Sequence, residues 1–154
     1  NRVGTAATEF ALTLPLMLAL IFGSMEAGHF FWTQHKIVKS VRDGARFASR
    51  LDVERLCPNF DAGLEAEIKN ITATGQLAAG GTSKVPGWEP ANVVVTPACG
   101  SFVDTGIYAD LGGQGPLITV DSGPVAYPSI LSGLGFIDDT INLSARSSAA
   151  VMGI

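Results

Sequence analysis

Side chains capable of catalysis or metal binding are few in this 154-residue sequence, and their spacing favours neither chemistry. His29 and His35 are accompanied by no nucleophile motif, phosphate-binding loop or metal-ligand spacing. Asp138 and Asp139 are adjacent acids, a pattern typical of a solvated turn. The sequence therefore predicts no catalytic residue, no metal site and no cofactor, and it argues against an enzyme.

The two cysteines, Cys57 and Cys99, lie in Gly- and Pro-rich surroundings without the spacing of a zinc site. An even number of cysteines in an extracytoplasmic protein favours a disulfide, and the alternative is a pair of buried thiols. Such a bond can form within one chain or between two chains. Within one chain, closing this loop is worth about 4 kcal/mol in the chain-entropy model.

Glu9 stands alone at the start of an apolar run, residues 10–25, that contains no other charge. A carboxylate beside such a segment is costly to move into lipid. It therefore requires either a partner or a position at the water interface.

The element that must position Glu9 is a long helix. Residues 10–32 are apolar enough for a membrane span, which needs about 20 such residues. Glu26 is expected near the far boundary of the membrane. Pro15 lies inside the span, removes one backbone hydrogen bond and favours a kink or local unwinding.

The helical period continues through residues 33–55, so we expect one helix of about 40 residues or more over residues 10–55. Its second half is amphipathic, with an apolar stripe formed by Val38, Val41, Ala45, Ala48 and Leu51. Gly28 and Gly44 weaken the helix locally, but they permit another helix to approach closely.

Residues 56–154 are expected to form a small head, which makes the fold class α+β: a long N-terminal helix followed by a head with a short helix and an antiparallel sheet. The long helix ends at Cys57-Pro58-Asn59, and the short helix covers residues 61–76. Gly- and Pro-rich loops separate strands predicted at residues 92–96, 117–120 and 140–147. In the last strand the residues expected to face the core are Ile141, Leu143 and Ala145.

The charges are distributed unevenly along the chain. The net charge of −4 argues weakly against a nucleic-acid partner. Basic residues crowd one segment, at Lys36, Lys39, Arg42, Arg46, Arg50 and Arg55. From residue 56 onward acids predominate, including Asp104, Asp110, Asp121, Asp138 and Asp139. The sequence predicts a basic stalk that carries an acidic head.

The segment GTAATEF, residues 4–10, resembles the processing site of prepilin-like proteins. Three further features accompany it: Pro15 in the helix, Glu26 after a Phe-Gly pair, and the Asp-Gly-Ala-Arg stretch at residues 43–46. Together they resemble the TadE-like pseudopilin family of tight-adherence, type IV pilus-like systems. The resemblance is strong to about Arg50 and weak beyond, although the closing INLSARSSAAVM also fits the family's final strand.

The resemblance implies that a membrane peptidase cuts after Gly4, so that Thr5 becomes the first residue and residues 1–9 form a leader and processing region. It also implies that Glu9 meets the free amine of a neighbouring subunit's first residue, a buried pair that sets register more than stability. The alternative is that Glu9 lies at the membrane interface. Because Gly4 is still attached and the first residue is not Met, we expect a precursor trimmed or truncated upstream, or processing elsewhere.

The resemblance further implies a cytoplasmic N-terminus, a single span of the bacterial inner membrane and a periplasmic head, followed by a cell-surface filament. Counting positive charges does not support this orientation, because Arg2 is the only base on one side and at least four bases lie close to the other end. The cysteines independently favour an extracytoplasmic head.

We therefore expect a structural subunit of a pilus or pseudopilus for surface adhesion, as shaft or minor component. Its expected partners are copies of itself or related pilins, the inner membrane, prepilin peptidase and the pilus assembly machinery, without nucleic acid. The residues expected to act in assembly are Glu9, Phe10, Pro15 and Glu26. The basic face formed by Lys36, Lys39, Arg42, Arg46 and Arg50 is expected to contact the acidic heads of adjacent subunits. The acids expected there are Asp104, Asp110 or Asp138. The alternative is a monomeric, membrane-tethered periplasmic module that binds a partner through its Gly/Pro-rich loops.

Overall fold

The long helix predicted from the sequence dominates the computed structural model, which describes residues 2–99, 116–132 and 141–152. Helix α1 comprises Arg2–Ala48. It begins before the apolar run and passes through Pro15, so the proline does not end the helix.

Helix α1 ends at Ala48, earlier than the predicted end near Arg55. The backbone N–H groups of Arg50 and Leu51 donate to carbonyls only three residues back, which tightens the last turn. The Asp52 carboxylate then accepts the backbone N–H of Glu54 at 3.1 Å and caps a new helix, α2 (Val53–Leu56). The predicted extension was wrong because this cap gives the backbone a local alternative to continuing α1.

Helix α3 comprises Ala62–Ala73, within the predicted range. Asp61 is its N-cap, and its carboxylate accepts the backbone N–H groups of Gly63 at 2.7 Å and Leu64 at 3.3 Å. The guanidinium of Arg55 donates to the same carboxylate at 3.1 Å. These three donors hold the pKa of Asp61 below its ordinary value, with the arginine making the largest contribution.

The C-terminal end of α3 is closed by two features. Gly75 has a φ of +84°, the left-handed conformation that commonly terminates helices. The Lys84 ammonium lies 3.4 Å from the carbonyl oxygens of both Ile71 and Thr72, where the helix dipole favours a cation. Burial lowers the pKa of Lys84. The loop that follows includes a short 3₁₀ helix, Pro90–Asn92.

The strands of the described residues are β1 (Val94–Ala98), β2 (Leu117–Asp121), β3 (Val125–Ala126), β4 (Asn142–Leu143) and β5 (Arg146–Ala150). β1, β2 and β5 form an antiparallel sheet in that order, with Thr119 of β2 opposite Thr96 and Ser148. β3 and β4 form a separate antiparallel pair. The α+β fold class is confirmed.

The last predicted strand is divided into β4 and β5. Between them the backbone N–H of Ala145 donates to the Ser122 hydroxyl, and the Ser122 N–H donates to the Ala145 carbonyl, both at 2.9 Å. This exchange interrupts the expected alternation. Leu143 is buried as predicted and Ala145 is half-buried, but the inward orientation expected for Ile141 was wrong, since 43% of this residue is exposed.

The core lies between the C-terminal half of α1, helix α3 and the three-stranded sheet. Its largest fully buried side chains include Trp88, Ile37, Leu56, Leu64, Ile68, Ile118, Val41 and Val120. The Trp88 indole N–H donates to the Ser122 carbonyl at 3.0 Å. In α1 the buried stripe contains Ile37, which the predicted stripe missed, whereas Val38 is only half-buried.

One disulfide and one backbone hydrogen bond join distant parts of the chain in the head. Cys57 and Cys99 form the predicted disulfide within one chain, with 5.7 Å between their Cα atoms. The backbone N–H of Met152 donates to the Ser49 carbonyl at 3.0 Å, just past the end of α1. The head is therefore fastened to the C-terminal half of α1.

Candidate functional site

The N-terminal half of α1 has no packing partner among the residues that the structure describes. Every residue from 6 to 25 is exposed, including large apolar side chains such as Leu12, of which 80% is exposed. By length and composition this helix is able to cross a membrane. Residues 6–25 extend about 30 Å along the helix axis, the thickness of a bilayer's hydrocarbon core.

Gly4 and Thr5 lie in the first turns of α1, so the peptide bond expected to be cut is helical. The Thr8 hydroxyl donates to the Gly4 carbonyl at 3.1 Å. The first four N–H groups of a helix have no intrahelical acceptor, so opening this turn breaks few hydrogen bonds. A peptidase that cuts after Gly4 has to open it.

Glu9 and Phe10 are exposed on the next turn, and Glu9 forms no ion pair with a described residue. The Thr13 hydroxyl donates to the carbonyls of Glu9 at 3.1 Å and Phe10 at 3.2 Å. Pro15, which lacks an N–H, cannot donate to the carbonyl of Ala11. The predicted assembly residues of this segment thus lie near the N-terminal end of α1.

Glu26 marks the point at which the head begins to cover α1, since only 8% of the residue is exposed. The Ser129 and Tyr127 hydroxyls and the backbone N–H groups of Ile130 and Leu131 lie close to its carboxylate. Neither carboxylate oxygen forms a regular hydrogen bond with a described residue. Glu26 therefore faces the chain's own head loop, which the sequence did not predict.

Tyr127 connects this loop to α1. Its hydroxyl donates to the backbone carbonyl of Glu26 at 3.2 Å and lies 3.1 Å from His29 Nδ1. The Tyr127 ring also packs edge-on against Phe30, with 5.3 Å between centroids. Burial, and then the neighbouring Glu26 carboxylate, raise the pKa of Tyr127 to about 12, so it remains a protonated donor. Sequence analysis missed Tyr127; the signal that could have found it was Glu26, an acid beside an apolar run that needs donors.

The basic residues of α1 lie on the side of the helix away from the core. Lys36 is half-buried, and Lys39, Arg42, Arg46 and Arg50 are exposed. None of the five forms an ion pair with an acid in the described part of the chain. The acids expected to oppose them, Asp104, Asp110 and Asp138, and also Asp139, lie outside the described residues.

Gly44, in the Asp-Gly-Ala-Arg stretch, lies where α1 packs closely against α3. A Cβ atom at Gly44 would overlap the hydroxyl of Thr72 and lie 3.2 Å from its Cβ. Thr72 is fully buried, and its hydroxyl donates to the Ile68 carbonyl at 2.6 Å. The close approach predicted for Gly44 is confirmed. At Gly28 nothing lies within 4 Å of such a Cβ atom.

The candidate site is the exposed surface of α1. Within residues 2–99, 116–132 and 141–152 no group of three or more His, Cys, Asp or Glu is placed to hold a metal ion. The arrangement that this surface supports is packing of an apolar helix, flanked by one exposed carboxylate and a row of cations.

Residues 4–46 match the model of a protein family described as TadE-like protein. The match lies within α1, from Gly4 to Arg46, and it confirms the resemblance inferred from the sequence. This structural, non-enzymatic family and the exposed apolar helix fit a pilin-like subunit of a tight-adherence system. No curated protein and no solved structure matches the chain.

Proposed function

We propose that this chain is a pilin-like subunit of a tight-adherence, type IV pilus-like system, and that it assembles through α1 into a pilus or pseudopilus for surface adhesion. The observation that carries the proposal is the apolar surface of residues 6–25, exposed on the segment that matches the family. Such a surface is unfavourable in water. Lipid covers it in the single subunit, and neighbouring helices replace the lipid in the filament.

Before assembly, α1 anchors the subunit in the bacterial inner membrane, with the head in the periplasm. The Cys57–Cys99 disulfide supports this placement, because disulfides persist in oxidising compartments. Prepilin peptidase cuts after Gly4, and the assembly machinery then moves the subunit into the filament as a shaft or minor component.

In the filament, Glu9 pairs with the amine of Thr5 of a neighbouring subunit. Support comes from the exposed position of Glu9 at the membrane-entry end of α1, without an ion-pair partner among the described residues. Neutralising two groups that are costly in an apolar bundle fixes the register between helices. The row from Lys36 to Arg50 meets acidic surfaces of adjacent heads and favours one orientation.

The test is to shear filaments from the native host and to determine the first residue and the amount of this chain in the sheared fraction. Glu9→Gln is compared with Glu54→Gln, a matched control at an exposed glutamate on α2. The wild-type chain and the control should begin at Thr5 in the sheared fraction. Glu9→Gln should lower the sheared amount more than about tenfold at an unchanged membrane level, since one unpaired buried charge costs about 3–5 kcal/mol.

A different experimental result would contradict each of the proposed steps. A sheared chain that begins at Asn1 would overturn cleavage after Gly4 and remove the amine partner of Glu9. Full incorporation of Glu9→Gln would overturn the pairing. Absence of the wild-type chain from the sheared fraction, with all of it in the membrane, would overturn the filament and favour the tethered module. That module would keep its activity when residues 6–25 are replaced by an unrelated span.

A further inference from the structure

Just past Glu26, α1 presents an exposed aromatic and basic face. Phe31 and Trp32 are 66% and 65% exposed, although both are large and apolar. Lys36 and Lys39 follow Trp32 by four and seven residues, so the three side chains share one side of the helix. We call Trp32, Lys36 and Lys39 the collar.

Two clefts meet at the collar and share Trp32 and Lys36. One, of about 300 Å³, separates α1 from head residues that include Pro86, Pro128 and Ile130. The other, of about 610 Å³, is open along α1 and is lined also by Phe31 and Lys39. No carboxylate is among the described residues that line either cleft. The clefts therefore combine apolar walls with cations and suit an anionic group that carries an apolar body.

The position of the collar along α1 defines its depth in a bilayer. If residues 6–25 fill the hydrocarbon core, the Cα atom of Trp32 lies about 10 Å beyond it, and its indole, which leans toward the bilayer, reaches the headgroup layer of about 5–8 Å. Helical side chains lean toward the N-terminus of their helix, which is the bilayer side here. The Cα atoms of Lys36 and Lys39 lie about 16 Å and about 21 Å beyond the core, so their ammonium groups, which also lean back, attract anionic headgroups from within about one Debye length.

We propose that the collar binds the phosphate headgroup of an anionic phospholipid, between the indole of Trp32 and the two ammonium groups, with the head loop at Pro128 and Ile130 as the opposite wall. This inference rests on the proposed membrane anchoring of α1. A tryptophan at the interface and cations within reach of anionic lipid are the usual chemistry of such contacts. The bound lipid holds the subunit at a fixed depth and keeps both lysines occupied until a neighbouring head displaces it.

The test uses the full chain in liposomes of phosphatidylcholine with phosphatidylglycerol, where either lipid carries bromine on its acyl chains. Bromine quenches tryptophan fluorescence at short range; Trp32 is exposed, whereas Trp88 is buried in the head and supplies a constant background. Flotation of the liposomes reports membrane insertion separately. The variant is Lys36→Gln with Lys39→Gln. The control is Arg42→Gln with Arg46→Gln, the same charge change further along α1.

Brominated phosphatidylglycerol should quench Trp32 at a lower mole fraction than brominated phosphatidylcholine. The lysine variant should lose this preference by about fivefold per lysine, and the arginine control should keep it. Equal quenching by both lipids, or an equal loss of the phosphatidylglycerol preference in the two variants, would overturn lipid binding by the collar. Neither result would contradict the membrane anchoring of α1. A floating chain whose Trp32 neither lipid quenches, and which cross-links to a second copy, would assign the face to a subunit contact instead. Failure to float would overturn the anchor as well.

Discussion

Replacing Gly44 by alanine tests a close contact between α1 and α3. The added methyl group would overlap the hydroxyl of Thr72 and approach its Cβ to 3.2 Å. Thr72 is fully buried, and its hydroxyl is bonded to the Ile68 carbonyl at 2.6 Å. To admit the methyl group, Thr72 has to change its rotamer and give up this hydrogen bond, or the two helices have to move apart.

The expected change in the free energy of unfolding is the difference between two opposing effects. Alanine in place of glycine inside a helix gains up to about 1 kcal/mol. Overpacking of a tight contact costs about 1–3 kcal/mol, and this overlap with two Thr72 atoms belongs in the upper part of that range. We expect Gly44→Ala to lower the free energy of unfolding of the head by about 1–2 kcal/mol, which lowers the melting temperature by roughly 5–15 °C for a unit of this size.

The assay is thermal unfolding of the full chain in detergent micelles, followed by near-ultraviolet circular dichroism of the buried Trp88. Gly28→Ala is the matched control, since nothing lies within 4 Å of a Cβ atom there. Thr72→Ala, combined with Gly44→Ala, should recover most of the loss. The double-mutant cycle should give a coupling of roughly 1–2 kcal/mol.

The reasoning would be refuted if Gly44→Ala melted at or above the wild-type temperature, as Gly28→Ala is expected to do. Additive effects of Gly44→Ala and Thr72→Ala would also refute it, because two side chains that compete for one space cannot act independently.

Two other properties of the head are open to measurement. Replacing Cys57 and Cys99 by serine should lower the free energy of unfolding by about 4 kcal/mol, because the disulfide joins residues separated by 42 positions; denaturant unfolding measures this, and the reduced wild-type chain should show the same loss. The stability conferred by Asp61 should be complete above its ordinary pKa of 3.8 and be lost as the pH falls through its lowered folded-state pKa. Asp61→Asn, which keeps an acceptor at the cap, should remove this part of the acid dependence of the melting temperature, and an unchanged dependence would contradict the assignment.

The elements of this fold are largely readable from local sequence. The apolar run and the helical period predicted α1, and the segments between Gly- and Pro-rich loops indicated α3 and β2. These signals depend on neighbouring residues in the chain, which the sequence displays directly.

The errors share a cause, which is competition with distant or alternative partners. The core includes Ile37 rather than Val38 because α3 and the sheet, not the helix itself, determine which side is covered. The donors around Glu26 come from Tyr127 and Ser129, about a hundred residues away, and no local pattern connects them. The sequence placed Glu26 near the far boundary of the membrane, and only the fold shows which side chains surround it.

Because α1 is continuous, a shift along its axis is coupled to a rotation about it. From Arg2 to Ala48 the helix is about 70 Å long and unbroken. Among the described residues, the head packs against α1 only from Glu26 onward. Shifting a contact at the apolar end by one residue advances the head by about 1.5 Å and turns it by about 100°. In the proposed filament, a neighbour that packs against residues 6–25 would therefore determine both the height and the rotational orientation of the head, so contacts inside the apolar bundle would determine which surface the heads display.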